Sequence, residues 1–526
     1  MRLHAAFFIS VALLLPARSA TAGIPQTRAQ EVVDAVVSRP PLASSSVGVF
    51  AMSMGGDTLA CHNARVKFVP ASNMKLITTG LALVNLGADF RYETSLGYNG
   101  VIENGVLKGD LYIIGGGDPT TGSKAQCAEP VDALFSSWLK LLRAAGLAGL
   151  CAVDLETDLI AVYLGVGHIS SISGRVIGDP RFLGAVTPEG LGWTYDDLGT
   201  NYGAGPTGLN FFENAQNFSI KPGSAPGQKP DIQVRYPETP WMTFVNNATT
   251  GGARSRNTVY YINTHLSPCG EFAGSFPVDR NGYTLECSNR FGAYTCAYYF
   301  CKYLNTNGVS VTEGAADVTP SGYVRQMPGN MSGSGKAADA GSLCLVGSTR
   351  SAALKSIARE TNCESDNFFA ETLLKTLSVN KGGGADYDSC IMAAESALSA
   401  LGLNPASGCR IFDGSGLSRK NYVSPSFFVD FLTVMAGTDV SGAYLASLPQ
   451  PGGKGTLEYK FPSADAAFRS RIRMKSGSMN GILCYSGYIL PRDGDLSDAV
   501  VFSILTNNCT ASSWAVSPQI DKIIEA

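Results

Sequence analysis

The chain predicts an α/β (α+β) fold in which one domain is built from both ends of the sequence and carries a large, mainly β insertion. Residues 23–90 and 341–526 alternate helix-like and strand-like segments, whereas the stretch between them is rich in Gly, Pro, Asn and Ser and has short apolar runs. The length, 526 residues, also exceeds what one hydrophobic core organises, so two or three domains are expected.

Taken in order, residues 1–22 have the form of a signal peptide: Arg2 gives a positive start, residues 5–15 are apolar, and Ala20-Thr21-Ala22 is a small-residue cleavage site. The mature chain is expected to begin near Gly23 and to be exported, to a periplasm or the extracellular medium. No later apolar run approaches the roughly 20 residues that cross a bilayer, so no integral membrane segment is expected in it. The apolar spacing then predicts a helix over 30–37, strands over 46–52 and 58–61, and a helix starting near Ser72, which together make the first part of the principal domain, 23–90.

From Arg91 the pattern changes to short stretches broken by Asn99-Gly100, Asn104-Gly105 and Gly115-Gly116-Gly117, the composition of hairpins and turns. An insertion over 91–340, one unit or two nested ones, begins there. Within it Val131, Leu134, Phe135, Trp138, Leu141 and Leu142 recur at helical spacing and predict one amphipathic helix over 130–146, while 201–340 reads as loop-rich β structure. Regularity returns in the second part of the principal domain, 341–526. It is expected to hold a strand at 342–346, helices at 351–361, 368–377 and 388–401, strands at 471–475, 482–490 and 499–506, and a closing helix at 513–525.

Charge and composition exclude several function classes. The formal charge of −3 becomes −5 once Arg2 and Arg18 leave with the signal peptide, and no long basic run is present to follow a phosphate backbone, so nucleic acid is not an expected partner. All thirteen cysteines follow the signal peptide, and in an oxidising compartment they predict up to six disulfides with one thiol left over. No CxxC pair occurs, and His62, His168 and His265 are scattered, so neither a metal site nor a cofactor is expected. The sequence sets no oligomeric state.

The scarcity of histidine also excludes a Ser-His-Asp hydrolase, and no GxSxG elbow is present. A lysine can take the serine proton instead if burial or nearby positive charge lowers its pKa. Ser72-Asn73-Met74-Lys75 offers such a pair: Pro70 ends an extended segment, Leu76-Ile77-Thr78-Thr79 continues a helix, and the spacing of three sets both side chains on one helix face. Ser72 in the first turn also brings its backbone N–H among the free donors of a helix start, where an oxyanion is stabilised. The spacing alone has low specificity, because Ser137-Trp138-Leu139-Lys140 repeats it inside the amphipathic helix, where it reads as ordinary helix surface.

Two further triplets add to the signal. Ser365-Asp366-Asn367 falls in the break between two predicted helices, and Lys475-Ser476-Gly477 follows strand residues 471–474, with Gly477 expected to let a ligand backbone lie against the strand edge. Ser255-Arg256-Asn257 and Ser478-Met479-Asn480 also match SxN; the first reads as a polar loop, and the second directly follows the Lys-Ser-Gly strand.

In this order the triplets resemble the serine penicillin-binding proteins and β-lactamases, whose signature is SxxK, then SxN, then KTG or a close variant. More narrowly, the chain is similar to the D-alanyl-D-alanine carboxypeptidase/endopeptidase family, the class C low-molecular-mass penicillin-binding proteins, in which a long insertion separates SxxK from SxN. Gly117-Asp118-Pro119, Gly192-Trp193-Thr194-Tyr195-Asp196-Asp197-Leu198, Tyr202-Gly203-Ala204 and Asp413-Gly414-Ser415-Gly416-Leu417-Ser418-Arg419 extend the resemblance over nearly the whole mature chain. Glycines in the last of these, and Asp118 and Asp196, are expected to serve turn geometry.

The resemblance implies a serine β-lactamase/DD-peptidase-like catalytic domain, an antiparallel sheet flanked by helices. It implies D-Ala-D-Ala carboxypeptidase or DD-endopeptidase action on peptidoglycan stem peptides, with β-lactams as covalent inhibitors. By motif, Ser72 would be the nucleophile, Lys75 its proton acceptor, and Ser365 a relay of protons between Lys75 and the leaving amine. Asn367 would hold the substrate amide; Lys475 would keep the local potential positive and, with the hydroxyls of Ser476 and Ser478, favour the substrate's terminal carboxylate beside Gly477, and the N–H groups of Ser72 and Ser478 would form the oxyanion hole. Ser476 departs from the family's usual Thr, keeping the hydroxyl but losing the methyl that limits its rotamers. A non-catalytic cell-wall binding or scaffold protein on the same fold, and a β-lactamase, are the competing readings.

Overall fold

The structure, a computed structural model, describes residues 26–148, 169–184, 189–329 and 331–526; the expected signal peptide lies outside them. A five-stranded, wholly antiparallel sheet is assembled from the two chain ends, in the spatial order Thr58–His62, Ser46–Ser53, Val500–Asn507, Ile482–Ile489, Ile472–Met479. Val500–Asn507 and Ile482–Ile489 are buried along almost their whole length because both faces of the sheet are covered. On one face, helices Arg28–Val37 and Ser513–Glu525 bring Val33, Val36, Ile520 and Ile524 against Val49, Ile472 and Ile504. On the other, a larger cluster joins Leu76, Ile77 and Leu81 to Phe369, Leu373, Phe428 and Phe431. Helix Met74–Leu86, which follows Ser72, is the centre of that cluster and is buried from Met74 to Leu83. The expected antiparallel sheet flanked by helices is present.

The residues between hold a seven-stranded mixed sheet and several smaller ones. In the large sheet, Leu111–Ile114, Val176–Asp179 and Ala315–Val318 run parallel, and the last two are buried at every position, as parallel strands covered on both faces must be. Cys344–Arg350 pairs antiparallel with Glu93–Tyr98 at the edge of this sheet, so a segment expected at the start of the second catalytic part is built into the sheet of the intervening region. A separate aromatic core around Phe218, Tyr261, Phe272 and Phe276 holds three of the smaller sheets.

Helix Gly292–Thr306 corrects the expectation of loop-rich β structure over 201–340. Its Tyr, Thr, Cys and Phe residues are weak helix formers, but burial of Tyr294, Cys296, Ala297, Phe300 and Leu304 in one core decides the conformation. Helix Pro425–Ala436 has no counterpart in the spacing analysis, although Ser424 accepts from Phe427 N and Pro425 stands at the first turn, both helix-start features.

Among the described residues twelve cysteines are free thiols, which corrects the expectation of up to six disulfides; Cys151 lies outside them. The six buried thiols are dispersed among separate cores: Cys287 in one, Cys296 and Cys301 in a second, Cys390, Cys409 and Cys484 in a third. There they pack as small apolar groups, and burial pushes the Cys484 thiol up to about 12.

Candidate active site

Ser72 lies in a short 3-10 turn, Ala71–Asn73, that runs directly into helix Met74–Leu86. Ala71 is held in the left-handed region at φ 46°, and Gly416 packs so close that a Cβ there would fall 1.9 Å from Ala71 O. One turn on, Lys75 is fully buried, and its Nζ lies 3.0 Å from Ser72 Oγ, 2.6 Å from Asn367 Oδ1 and 2.8 Å from Ser415 O. Burial lowers its pKa to about 8, while the charges of Asp366, Glu371 and Asp413 act in the opposite sense.

Ser365 and Asn367 are placed by a helix cap. Asp366 caps helix Asn367–Asn380, its carboxylate accepting from Phe369 N at 2.8 Å, which leaves Ser365 just outside the helix at φ 61° and Asn367 as the first helical residue. Asn367 is held from two sides: its Oδ1 accepts from Lys75, and its Nδ2 donates to Tyr202 O at 3.0 Å. Ser365 Oγ accepts from Lys475 Nζ at 2.9 Å.

Lys475 comes from Ile472–Met479, the edge strand of the five-stranded sheet, and also donates to Ser476 O at 2.7 Å. It is fully buried, and burial, followed by the Lys75 charge, holds it well below the usual lysine range. Ser476 is half-buried and Ser478 exposed on the same strand. Gly477 answers a need other than the one its sequence context predicts. A Cβ there would lie 2.6 Å from Pro70 O, 2.8 Å from Asn73 N and 3.0 Å from Ser72 N, so the glycine first of all lets the protein's own helix start approach the strand.

The sequence reading missed a group that contributes no side-chain signature, the Ser415 carbonyl. It is presented by a turn wired to two buried carboxylates. Glu371 accepts from Gly414 N at 3.0 Å and Ser415 N at 2.7 Å, and Asp413 accepts from Gly416 N at 2.8 Å, Asn421 Nδ2 at 2.7 Å and Trp193 Nε1 at 2.9 Å. Burial, then the charge of Asp413, pushes Glu371 up to about 7. Trp193 and Tyr202 thus come to the site from the intervening region. Asp118 accepts from Thr120 N and Oγ1 in a tight turn, and burial pushes it up to about 6. The second SxxK copy is elsewhere: Lys140 is exposed on helix Val131–Ala148, and Ser255 and Arg256 lie in an exposed loop.

A five-stranded antiparallel sheet, a helical cluster on one face and a Ser-Lys pair at a buried helix start define a serine hydrolase of the penicillin-binding protein and β-lactamase type. The chain belongs to the D-Ala-D-Ala carboxypeptidase 3 (S13) family, whose sequence profile matches residues 29–525, and is a serine-type D-Ala-D-Ala carboxypeptidase. It is 28% identical over 506 residues to a D-alanyl-D-alanine carboxypeptidase from an Actinomadura species, covering 94% of this chain and 83% of the relative. It is 24% identical over 475 residues to the penicillin-sensitive carboxypeptidase A of Dictyostelium discoideum, covering 87% and 81%. Its fold is similar to that of penicillin binding protein 4 from Haemophilus influenzae, with a TM-score of 0.71 at 20% identity, covering 94% of this chain and 97% of that one.

Proposed function

We propose that the protein, exported by its first 22 residues, hydrolyses the D-Ala-D-Ala bond of peptidoglycan stem peptides through an acyl-enzyme on Ser72. The coordination of Lys75 carries this reading. A neutral amine has two N–H groups and one lone pair; with the N–H groups donated to Asn367 Oδ1 and Ser415 O, the lone pair is left for Ser72 Oγ at 3.0 Å. There it takes the hydroxyl proton as Oγ attacks the penultimate D-Ala carbonyl. A pKa near 8 leaves about a tenth of the lysine neutral at pH 7, a poise suited to a general base.

The leaving nitrogen takes its proton from Ser365 Oγ, which Lys475 Nζ resupplies at 2.9 Å. Burial favours the neutral form of Lys475 in the free enzyme, and the terminal carboxylate of a bound peptide favours the protonated form. Ser476 and Ser478 add hydroxyls along the same strand, Asn367 retains a second amide N–H for the substrate, and the free edge of Ile472–Met479 accommodates an extended peptide. The N–H groups of Ser72 and Ser478 receive the oxyanion. In deacylation water attacks the ester, its proton returns to Lys475 through Ser365, and Ser72 recovers its own from Lys75. A β-lactam acylates the same serine, in keeping with the penicillin sensitivity named for the Dictyostelium relative.

Intact-protein mass spectrometry after incubation with benzylpenicillin tests this. One adduct in the wild type and none in Ser72→Ala is expected. No adduct and no hydrolysed penicillin from a folded wild type would replace this reading with a binding scaffold; rapid release of hydrolysed penicillin would replace it with a β-lactamase.

A further inference from the structure

Phe212, Glu213 and Asn214 form a left-handed turn at φ 51°, 56° and 46°, without a glycine to relieve it. Such backbone persists only where its surroundings fix it. Here Asn214 Oδ1 accepts from Phe211 N at 3.1 Å, and its Nδ2 donates to Gly205 O at 3.1 Å and Asn210 Oδ1 at 3.0 Å. A Cβ on Gly292 would fall 1.8 Å from Asn214 Oδ1, so helix Gly292–Thr306 starts directly against the turn. Glu213 shares a side-chain hydrogen bond with Asp366, in the loop between Ser365 and Asn367.

Other groups face the pair from several elements. Ser123 Oγ donates to Glu213 Oε1 at 2.5 Å. Lys124 is already bonded at 2.7 Å to Glu286, which also accepts from Asn201 Nδ2 at 3.1 Å. On the Asp366 side stand Lys75 and the Phe369 N–H, and farther off Glu360 and Cys127 feel its charge.

Two touching carboxyls do not both ionise without a large cost. Asp366 has a helix N-terminal N–H and the Lys75 charge to favour its ionised form, which leaves the proton on Glu213. We propose that Glu213 is a positioning residue of this active site: as a carboxylic acid it donates to Asp366, tying the intervening region to the Ser365–Asn367 loop and limiting the pair to one negative charge beside Lys75. This rests on the reading of Ser72 and Lys75 as the acylating pair.

Burial, then the charge of Asp366, pushes Glu213 up to about 8. The working form is the protonated one, so the tie is intact below that value and lost as pH rises through it. The acylation rate of Ser72 by nitrocefin, followed by stopped flow from about pH 6 to about pH 10, reads this out. Glu213→Gln, which keeps a donor and cannot ionise, is expected to acylate within about threefold of wild type at neutral pH and to lack the wild-type fall above about pH 8. Glu213→Ala is expected to be roughly tenfold slower throughout, the effect of one hydrogen bond to a charged group. A Gln variant with the wild-type alkaline fall, or an Ala variant with the wild-type rate, overturns the proposal. If the Ala variant does not fold, the ratio of Gln variant to wild type against pH decides by itself. A wild type that does not acylate at all removes the Ser72 reading instead.

Discussion

Gly477 and Ser72 stand in backbone contact: a single methyl on Gly477 would lie 3.0 Å from the Ser72 nitrogen and closer still to Pro70 O. The edge strand and the turn that carries Ser72 therefore share one surface, and the position of Ser72 depends on a side chain that is absent. Gly477→Ala is expected to cost about 1–3 kcal/mol of stability through overpacking. Nitrocefin acylation should fall more steeply, by roughly tenfold or more, because displacement of a reacting atom by a fraction of an ångström is felt directly. A thermal melt and an acylation rate on the same sample check the pair of effects. A variant that melts earlier but acylates normally would show that the contact serves folding alone.

In the proposed mechanism Lys75 gives the reaction its acid limb. Its pKa is lowered by burial to about 8, and the base must be neutral to accept the Ser72 proton, so kcat/KM for a D-Ala-D-Ala peptide should rise with pH along a limb centred near that value. In the Glu213→Gln background the alkaline fall is expected to be absent, so that the limb can be read without overlap. A limb centred near the ordinary lysine value, about 10.4, would show that burial does not tune this lysine.

Glu371 acts at one remove. Its carboxylate holds Gly414 N and Ser415 N, and the carbonyl of Ser415 in turn accepts from Lys75. Glu371→Ala leaves two buried N–H groups unpaired and should destabilise the protein by roughly 3 kcal/mol. Acylation should fall in the folded fraction as well, since the Lys75 lone pair loses its direction. Urea unfolding together with acylation per folded molecule separates the two losses.

Much of the secondary structure was legible because it follows from local periodicity. The closing helix Ser513–Glu525 and the strands Ile482–Ile489 and Val500–Asn507 appear within a residue or so of their expected bounds. Helix Gly292–Thr306 was not legible, since its aromatic and Cys residues have weak helix propensity and become helical through burial. The disulfide expectation failed for a related reason: cysteine number reports the capacity for cross-links, whereas pairing needs Cα atoms within about 7 Å, a distance that the fold sets.

By itself the sequence determined which groups are available for chemistry: Ser72, Lys75, Ser365, Asn367 and Lys475 are side chains with recognisable spacing, and the near absence of histidine removed the main competitor. Only the tertiary structure decided how they are poised. The pKa of Lys75 comes from burial under the Met74–Leu86 cluster, its direction from the Ser415 carbonyl, and its electrostatic surroundings from Asp366, Glu371 and Asp413. Desolvation and Coulomb interaction depend on distances between residues remote in sequence, and a backbone carbonyl is offered by every residue type. Neither leaves a mark on the order of the amino acids until the chain has folded.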